Sequence, residues 1–445
     1  MTFEAIAEFS LGAVAVPEKA LRMASTLLVD TLGVAAGACD MEPGRIARDH
    51  AVRFHAAMTP DDTASLLFDG RKASIPGAAF AAATQIDNLD AHDGYNPTKG
   101  HIGCAVVPVL MAFAQHVPNL SAREALSTLV ISYEIAARAG ISLHATVSDY
   151  HTSGAWNALG AVAIGSRLRQ HGTNQFHHAL GIAEYHGPRS QMMREIANPT
   201  MLHDGSGMGA LVGAMAVLLA EEGFEGAPAI TVTGDEVSRY WEDLGENWTI
   251  EKNYIKPYPI CRWAHAAIDA LDGLMKAHRF AHGDVSAINV RTFREAADLY
   301  RGIPTSTSQA QYSLAFALAV RLVHGWVGPD HIQREGLEDT VVANVVKHIH
   351  IEVDERHCNR FPEGRWSDVT VELRDGTVLS SGDVHAKGGP ESPMSDAEVK
   401  EKFFNMTTKF GPDRQTAIWS MRDRMLEPGC QFEELSSHVM FSSET

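Results

Sequence analysis

Apolar residues recur at three- and four-residue spacing through the first two-thirds of the chain, where alanine and leucine dominate. This periodicity predicts amphipathic helices, because residues three and four apart lie on one helix face. The clearest predicted helices cover residues 20–38, 122–143, 155–169 and 207–222. Ser121 and Glu124, at the start of the second of these, have the spacing of a capping box. The first two-thirds is therefore predicted to be all-helical.

The pattern changes near residue 284. Apolar and polar residues alternate, as in half-buried strands, at residues 285–293, 349–353 and 369–373. Asp375 and Gly376 form a turn signal before residues 377–379, which predicts a hairpin. Helical composition covers residues 312–327 and returns at residues 396–406 and 415–425. The sequence predicts a mainly α fold, with a large all-helical domain (residues 1–268 and 395–445) and a smaller α+β lid domain (residues 269–394).

Composition narrows the class of protein. A chain of 445 residues with 45% hydrophobic content is typical of a soluble globular protein. A net charge of −18 argues against nucleic acid as a partner. The acidic N-terminus and the lack of a long uninterrupted apolar run argue against a signal peptide and a membrane, and favour a cytoplasmic location. Five scattered cysteines without a CxxC pair suggest inert free thiols: Cys39, Cys104, Cys261, Cys358 and Cys430.

A dense polar loop between two apolar segments is the strongest candidate for chemistry. Between residues 90 and 101 it carries Asp90, His92, Asp93, Lys99 and His101. Histidine titrates near neutral pH, and a neighbouring carboxylate fixes its tautomer and raises its basicity. A solvated surface loop and a divalent metal site are the alternatives, although the spacing matches no metal motif as specific as HExxH. The apolar segments on both sides favour a functional site.

Three further segments carry polar side chains where a helix start or prolines constrain the backbone. His151 precedes a helix that Thr152 or Ser153 would cap, which would leave the positive helix end to hold a carboxylate. An ordinary capping region is the alternative. The second segment has residues suited to carboxylate binding before a glycine-rich helix start, namely Arg189, Arg194 and His203. The third has such residues among prolines that stiffen the backbone, namely Lys256, Tyr258 and Arg262.

Alternatives also exist for these last two segments. The glycines after His203 follow no strand and lack the Rossmann spacing, so nucleotide binding is disfavoured. The segment from Lys256 to Arg262 could be an exposed basic helix start. No Gly-x-Ser-x-Gly elbow or P-loop occurs in the chain, which argues against covalent serine chemistry and phosphoryl transfer.

Taken in order, these segments resemble the MmgE/PrpD family, whose members include 2-methylcitrate dehydratases, cis-aconitate decarboxylase and iminodisuccinate epimerase. The resemblance spans nearly the whole chain. It rests on Asp30-Thr-Leu-Gly-Val, Asp90-Ala-His-Asp93 with His101, Ser132-Tyr-Glu-Ile with His151-Thr-Ser-Gly, Leu202-His203-Asp-Gly205, Lys256-Pro-Tyr-Pro-Ile-Cys with His265, Ala310-Gln-Tyr-Ser313, and Lys387-Gly-Gly-Pro with Pro393.

The resemblance implies a helical domain built from both chain ends, an α+β lid, a homodimer, no metal or organic cofactor, and an active site between the domains. The family's catalytic positions fall on Asp90, His101, His151 and Lys256, and Tyr258 is a further candidate beside them. Substrate contacts are expected from His92, Asp93, Lys99, Arg189, Arg194, His203 and Arg262.

Four positions depart from the family's pattern. Gly94 stands where threonine is common, Thr200 where decarboxylase-like members have lysine, and Phe316 where some members have tyrosine. Ile102 replaces a proline after His101. These changes indicate a different set of substrate contacts, and the absent lysine argues against decarboxylation.

The residues suit removal of a proton α to a carboxylate of a small polycarboxylic acid, since they supply bases and positive charge. Together with the lost contacts and a chain shorter than typical dehydratases of the family, this favours an epimerase similar to iminodisuccinate epimerase. A 2-methylcitrate-type dehydratase is the alternative, and a cis-aconitate-type decarboxylase is less favoured. A metal-dependent lyase and a non-catalytic scaffold are rivals. A scaffold would keep its function after His101→Ala or Lys256→Ala.

Overall fold

Helices form most of the molecule in this computed structural model, which describes residues 1–441. Those before the sheet are α1 (Phe3–Leu11), α2 (Glu18–Gly37), α3 (Glu42–Phe54), α4 (Ile75–Asp87), α5 (Gly103–Ala114), α6 (Ala122–Thr146), α7 (Gly154–Leu168), α8 (Thr173–His186), α9 (Met192–Ala197), α10 (Ser206–Glu221), α11 (Ile230–Thr233) and α12 (His265–His278). The four helices predicted from periodicity are present, with boundaries shifted by at most three residues.

Small residues let the central helices approach closely. Helix α7 packs against α6 and α10, and α10 packs against α4. At the start of α10, a Cβ on Gly209 would lie 2.7 Å from Gly154 Cα, so only glycine permits this crossing. The crossing brings the N-terminal ends of α7 and α10 together, where polar side chains of both segments meet.

Two helices, α2 and α6, are long and apolar enough to cross a membrane by length and composition. However, 78% and 89% of their apolar windows are buried inside the protein, as in core helices of a soluble protein. The sequence showed the same apolar character without revealing its burial. Their hydrophobic surface therefore serves the core of the helical part.

A five-stranded sheet forms the α+β part. Its strands are β3 (Val285–Thr292), β4 (Ile349–Val353), β5 (Trp366–Leu373), β6 (Val378–Ser380) and β7 (Val384–His385). Strand order is β4-β3-β5-β6, with β7 paired to β5, and only β3 and β4 are parallel. The parallel pair needs a crossover, which is formed by α13 (Arg294–Ala297), α14 (Thr307–Gln311), α15 (Leu314–His324) and α16 (Thr340–Val346). A short α17 (Glu355–Cys358) then precedes β5.

The chain then returns to the helical part through α18 (Asp396–Met406), α19 (Pro412–Arg424) and α20 (Phe432–Val439), and α18 and α19 pack against α2. Lys402 of α18 is buried and donates at 2.7 Å to both Asp30 Oδ2 and the backbone oxygen of Ala91. The C-terminal helices thus hold the polar loop that begins after α4.

The predicted fold class, mainly α with a smaller α+β part, is confirmed. The proposed boundaries at residues 268 and 395 remain a prediction. Three local expectations were incomplete. The helical part contains a hairpin of β1 (Thr63–Ser65) and β2 (Lys72–Ser74). The helix predicted over residues 312–327 covers only Leu314–His324, because Ser313 caps its start and Gly325, at φ 78°, ends it. Of the two hydrogen bonds in the predicted capping box, only the one from the Glu124 backbone N–H to the Ser121 side chain forms.

Candidate active site

Lys256 and Asp90 form a buried ion pair at the centre of the candidate site. Asp90 follows α4 and has a left-handed backbone conformation, with φ of 54°, which aspartate tolerates better than most residues. Lys256 Nζ donates to Asp90 Oδ1 and, at 3.2 Å, to the Asp90 backbone oxygen. Burial acts to lower the pKa of Lys256, but the Asp90 carboxylate outweighs it and raises that pKa above its usual value. Lys256 is therefore a buried ammonium at neutral pH.

His101 precedes α5 and is fixed by three hydrogen bonds. Its Nδ1 lies 2.6 Å from the backbone oxygen of Asp93. Its backbone N–H donates to Ser153 Oγ at 3.0 Å, and its backbone oxygen accepts from Asn157 Nδ2 at 2.7 Å. Because a carbonyl oxygen only accepts, Nδ1 carries the proton and Nε2 keeps its lone pair. Burial lowers the pKa of His101 well below its usual value, so Nε2 is an unprotonated base at neutral pH.

A carboxyl group faces this base. Asp204 Oδ2 lies 3.7 Å from His101 Nε2, and Asp204 Oδ1 accepts from Ser153 Oγ at 2.7 Å. The backbone N–H of Asp204 donates to Glu195 Oε2 at 2.7 Å. Burial, together with the neighbouring charge of Asp87, raises the pKa of Asp204 to about 7. Asp204 can therefore gain or lose a proton near neutral pH beside His101.

The N-terminal end of α7 is not the carboxylate site that the sequence predicts. Ser153 donates to Asp204, Thr152 Oγ1 donates to the Pro188 backbone oxygen at 2.9 Å, and neither side chain caps the helix. The N–H of Gly154 donates to the Asp204 backbone oxygen at 2.8 Å. This helix end is thus already satisfied by the protein, and Ser153 instead joins the His101 backbone N–H to the Asp204 carboxyl group.

Asp93 and His203 lie in the same cluster. Asp93 Oδ2 accepts from the Tyr133 hydroxyl at 3.1 Å, and burial raises the pKa of Asp93 to about 6. His203 is buried beside Tyr312, with ring centres 5.6 Å apart. Burial lowers the pKa of His203 to about 4. A hydrogen bond with the Thr200 backbone partly opposes this shift.

His92 packs against His101, with ring centres 4.5 Å apart and nearly perpendicular planes. Its Nε2 lies 3.4 Å from Asp87 Oδ1. Burial lowers the pKa of His92 and raises that of Asp87 well above its usual value. Both changes favour a neutral pair over an ion pair. His92 therefore supports the position of the His101 ring.

These side chains do not favour a metal centre. Within the described residues, ligand atoms all within 4.8 Å of one another are offered here by Asp87, His92 and Cys104. Burial is the main cause of the pKa shifts of His92 and Asp87, but the nearby ammonium of Lys256 also acts on both groups, and it would repel a cation. The metal ligands considered from the sequence are not assembled, because Asp90 bonds to Lys256 and His101 Nδ1 bonds to a carbonyl oxygen.

Tyr254 occupies the space that Gly94 leaves beside His101. The two backbones pair, with hydrogen bonds of 3.0 and 2.8 Å. A Cβ on Gly94 would lie 2.3 Å from the Tyr254 hydroxyl oxygen. The Tyr254 ring centre is 6.2 Å from that of His101, and the Arg262 guanidinium stacks 4.3 Å from the Tyr254 ring centre. The unusual Gly94 thus has a physical reason, since threonine there would displace Tyr254.

Comparison with known protein families matches residues 4–238 to the MmgE/PrpD N-terminal domain and residues 258–426 to the MmgE/PrpD C-terminal domain. The chain belongs to the MmgE/PrpD family. A search of curated proteins finds no match. MmgE/PrpD membership supports an enzyme of the dehydratase or isomerase type that acts on a small acid. Asp90, His101 and Asp204 lie in the N-terminal match, Arg262 lies in the C-terminal match, and Lys256 lies between the two.

Not all residues predicted for this MmgE/PrpD site come together. Those that do are Asp90, His92, Asp93, His101, His203, Lys256 and Arg262, with exposures of 7% or less. The Tyr258 hydroxyl donates to Asp269 Oδ1 at 3.0 Å, away from His101. The His151 backbone N–H contacts His144 Nε2 at 3.3 Å, and no described hydrogen bond or ion pair joins His151 to the cluster.

The other predicted substrate contacts also lie apart from the cluster. Lys99 is only partly buried, and its Nζ lies 5.3 Å from the Tyr150 ring centre. Arg189 and Arg194 are exposed. Thr200, at the position of the decarboxylase lysine, is exposed as well, and its Oγ1 accepts from the Leu202 N–H at 3.2 Å. Of the three arginines that the sequence suggested, only Arg262 thus lies in the cluster.

Sequence reasoning missed several residues of the cluster. Asp204 lies inside the Leu202–Gly205 motif, and Tyr254 precedes Lys256 by two positions, so both had a local signal. No local sequence signal pointed to Asp87, Glu195 or Arg365.

The cluster is closed to solvent in this conformation, since its side chains are almost fully buried. Substrate binding therefore requires an opening motion.

Proposed function

We propose that the protein is a cofactor-independent epimerase that removes and returns the α-proton of a small polycarboxylic acid such as iminodisuccinate. The observation that carries this proposal is the unprotonated Nε2 of His101, held in a dry site beside the Lys256 ammonium. An α-carbon next to a carboxylate is a very weak acid. Its proton is removed only where a base lies close and positive charge stabilises the aci-carboxylate.

His101 is the proposed base. The hydrogen bond from its Nδ1 to the Asp93 carbonyl, at 2.6 Å, fixes the tautomer and aims Nε2 away from that carbonyl. When Nε2 takes the proton, the imidazolium gains a favourable charge interaction with the Asp204 carboxylate, whose Oδ2 is 3.7 Å away. The gain is largest above pH 7, where Asp204 is mainly ionised. Asp204 therefore stabilises the protonated form of His101, which makes Nε2 a stronger base.

Lys256 is the proposed second proton carrier. It reaches the cluster from a different segment than His101, and it is protonated when His101 is neutral. One neutral base and one protonated acid are what a two-base epimerase needs in each direction. The hydrogen bonds to Asp90 hold the ammonium in place without removing its proton. Neither group needs a metal or an organic cofactor for this step.

A dehydratase is the second candidate, because Asp204 is partly protonated near neutral pH and could donate a proton to a leaving β-hydroxyl. Decarboxylation is less favoured. At the position of the decarboxylase lysine, Thr200 is exposed and carries no charge.

Incubation in D₂O with iminodisuccinate stereoisomers, methylcitrate, citrate and cis-aconitate, followed by NMR, tests the proposal. We expect deuterium at the α-carbon and stereoinversion without alkene absorbance. Alkene formation without inversion would favour the dehydratase instead. His101→Asn should abolish stereoinversion, and it should abolish exchange for the configuration whose proton faces Nε2. His178→Asn is the matched control, since His178 is a partly buried histidine whose ring bonds to the Gly226 backbone and packs against His177.

We further propose that the enzyme works as a homodimer in the cytoplasm and binds neither nucleic acid nor membranes. The family resemblance supports the dimer. The net charge of −18 and the burial of the apolar helices support the other statements. Light scattering after size-exclusion chromatography should give twice the mass of one chain, and the mass of a single chain would contradict the dimer.

A further inference from the structure

Two arginines near the cluster are buried without an acidic partner. Arg262 is 4% exposed and Arg365 is 2% exposed. Within residues 1–441, neither guanidinium forms an ion pair, and the Nε of each has no hydrogen-bond partner. Asp269 and Glu391 act on Arg262, and Glu363 acts on Arg365, only from beyond ion-pair distance, and a buried charge without a paired counter-charge is costly. Burial accordingly lowers the pKa of both groups, that of Arg262 to about 10.

Several other arginines of the α+β part are paired. Arg291 and Arg356 both bond to Asp368, each at 2.7 Å, and Arg360 bonds to Asp383 at 2.7 Å. Arg279, Arg334 and Arg374 form no ion pair within the described residues, but they are exposed. A buried arginine without an ion pair is thus not a general feature of this part of the chain.

Backbone carbonyl groups fix both unpaired guanidinium groups without neutralising them. Arg262 donates from Nη1 to the Lys387 oxygen and from Nη2 to the Ala386 oxygen, the latter at 3.0 Å. Arg365 donates from Nη1 to the Pro362 oxygen. Each side chain is therefore oriented, and its remaining donors are free for an anion.

The Tyr254 side chain lies beside Arg262. Burial raises the pKa of Tyr254, while Lys256, Arg262 and Arg365 act to lower it. No described residue forms a hydrogen bond with the Tyr254 hydroxyl. The ring stacks on Arg262, and the space for the hydroxyl exists because position 94 is glycine. Arg365 is joined to the same region through Ala386, whose oxygen accepts from Arg262 and whose N–H donates to the Arg365 backbone oxygen at 2.9 Å. The two arginines and the tyrosine are therefore neighbours.

We propose that Arg262, Arg365 and the Tyr254 hydroxyl form a subsite for a substrate carboxylate other than the one next to the reacting carbon. The inference rests on the proposed function and names its substrate class, a dicarboxylic or larger polycarboxylic acid. Guanidinium groups pair bidentately with carboxylates, and the tyrosine supplies a third donor. Arg365 directly precedes β5, so a bound carboxylate also links the α+β part to the helical part.

Calorimetric titration with succinate and with butyrate tests the subsite, because the two acids have four carbons each and differ by one carboxylate. The wild-type protein should bind succinate at least about tenfold more tightly than butyrate. Arg365→Gln and Tyr254→Phe should each lose most of this preference while their affinity for butyrate stays within about twofold. Arg360→Gln, an arginine of the same segment with its own aspartate, should keep the preference.

Either of two results would overturn the subsite. One is a wild-type protein without preference for succinate. The other is a folded Arg365→Gln variant, and a Tyr254→Phe variant, that retain the preference. The D₂O exchange assay separates this outcome from the proposed function. Succinate binding that depends on Arg365, without α-proton exchange in any acid, keeps the subsite and rejects the epimerase. α-Proton exchange by Arg365→Gln with an unchanged KM rejects the subsite and keeps the epimerase.

Discussion

Replacing Asp90 by asparagine leaves the ammonium of Lys256 buried without its carboxylate partner. Lys256 is fully buried, and the backbone oxygen of Asp90, at 3.2 Å, is the acceptor that remains. Breaking a buried ion pair by removing one partner costs about 3–5 kcal/mol, because the other charge stays in a region of low polarity. Asp90→Asn should therefore destabilise the protein far more than the loss of a surface pair.

The expected change in melting temperature follows from the size of the chain. An unfolding entropy of about 2.1 cal/mol/K per residue over 445 residues gives about 0.9 kcal/mol/K. A loss of about 4 kcal/mol then lowers the melting temperature by about 4 °C. Glu251→Gln is the control, because it removes a pair with Lys19, whose side chain is 79% exposed. That change should cost at most about 1 kcal/mol, or about 1 °C.

Differential scanning calorimetry of the wild type and three variants provides the assay. The double variant Asp90→Asn/Lys256→Met should melt at a higher temperature than Asp90→Asn alone, because it removes the unpaired charge. Both should lack α-proton exchange. An Asp90→Asn protein that melts within 1 °C of the wild type and remains active would refute the reasoning, and so would a double variant less stable than the single one.

Four further predictions concern the same cluster. His101→Asn should lower kcat by about 10²–10⁴ with little change in KM, because it removes the base; a change in KM alone, in steady-state kinetics, would contradict this. Asp204→Asn should raise the melting temperature more at pH 8 than at pH 5. The folded-state pKa of Asp204, about 7, exceeds the ordinary value of 3.8, so its contribution to stability falls as pH rises from about 4 to 7; a pH-independent shift would contradict the assignment. Gly94→Ala should destabilise by about 1–3 kcal/mol, because its Cβ meets Tyr254, and adding Tyr254→Leu should restore the melting temperature; additive losses would show that the two side chains do not meet. Exhaustive treatment with EDTA should leave exchange unchanged, and a loss that added divalent metal restores would contradict a cofactor-free mechanism.

Local patterns explain which parts of the fold were predictable. Helices α2, α6, α7 and α10 follow directly from apolar spacing, since each buries one or more complete faces. The break before α15 depends on a single capping serine, Ser313, inside an apolar run, and periodicity does not register it. The β1–β2 hairpin has strands of three residues each, too short for alternation to be visible.

The candidate site was also predictable from the sequence only in part. Asp90 and His101 were predictable because polar residues are concentrated between apolar helices, and Lys256 because prolines fix its segment. Arg189 and Arg194 looked suitable for binding a carboxylate, but both are exposed. Their exposure depends on which helix faces pack together, and the local sequence does not determine this. Arg365 lies more than 100 residues after Tyr254 and Arg262, so no local pattern joins it to them. Its proposed role therefore required the structure.

Stereoisomer-resolved exchange tests the α-proton chemistry most directly. Each stereoisomer of iminodisuccinate is incubated in D₂O with the wild-type protein and with His101→Asn, and loss of the α-proton is followed by NMR. The wild-type protein should exchange the α-proton of both configurations and interconvert them, whereas His101→Asn should interconvert neither and lose exchange for the configuration that presents its proton to Nε2. Alkene formation by the wild-type protein, or unchanged exchange of both configurations by His101→Asn, would contradict the two-base mechanism.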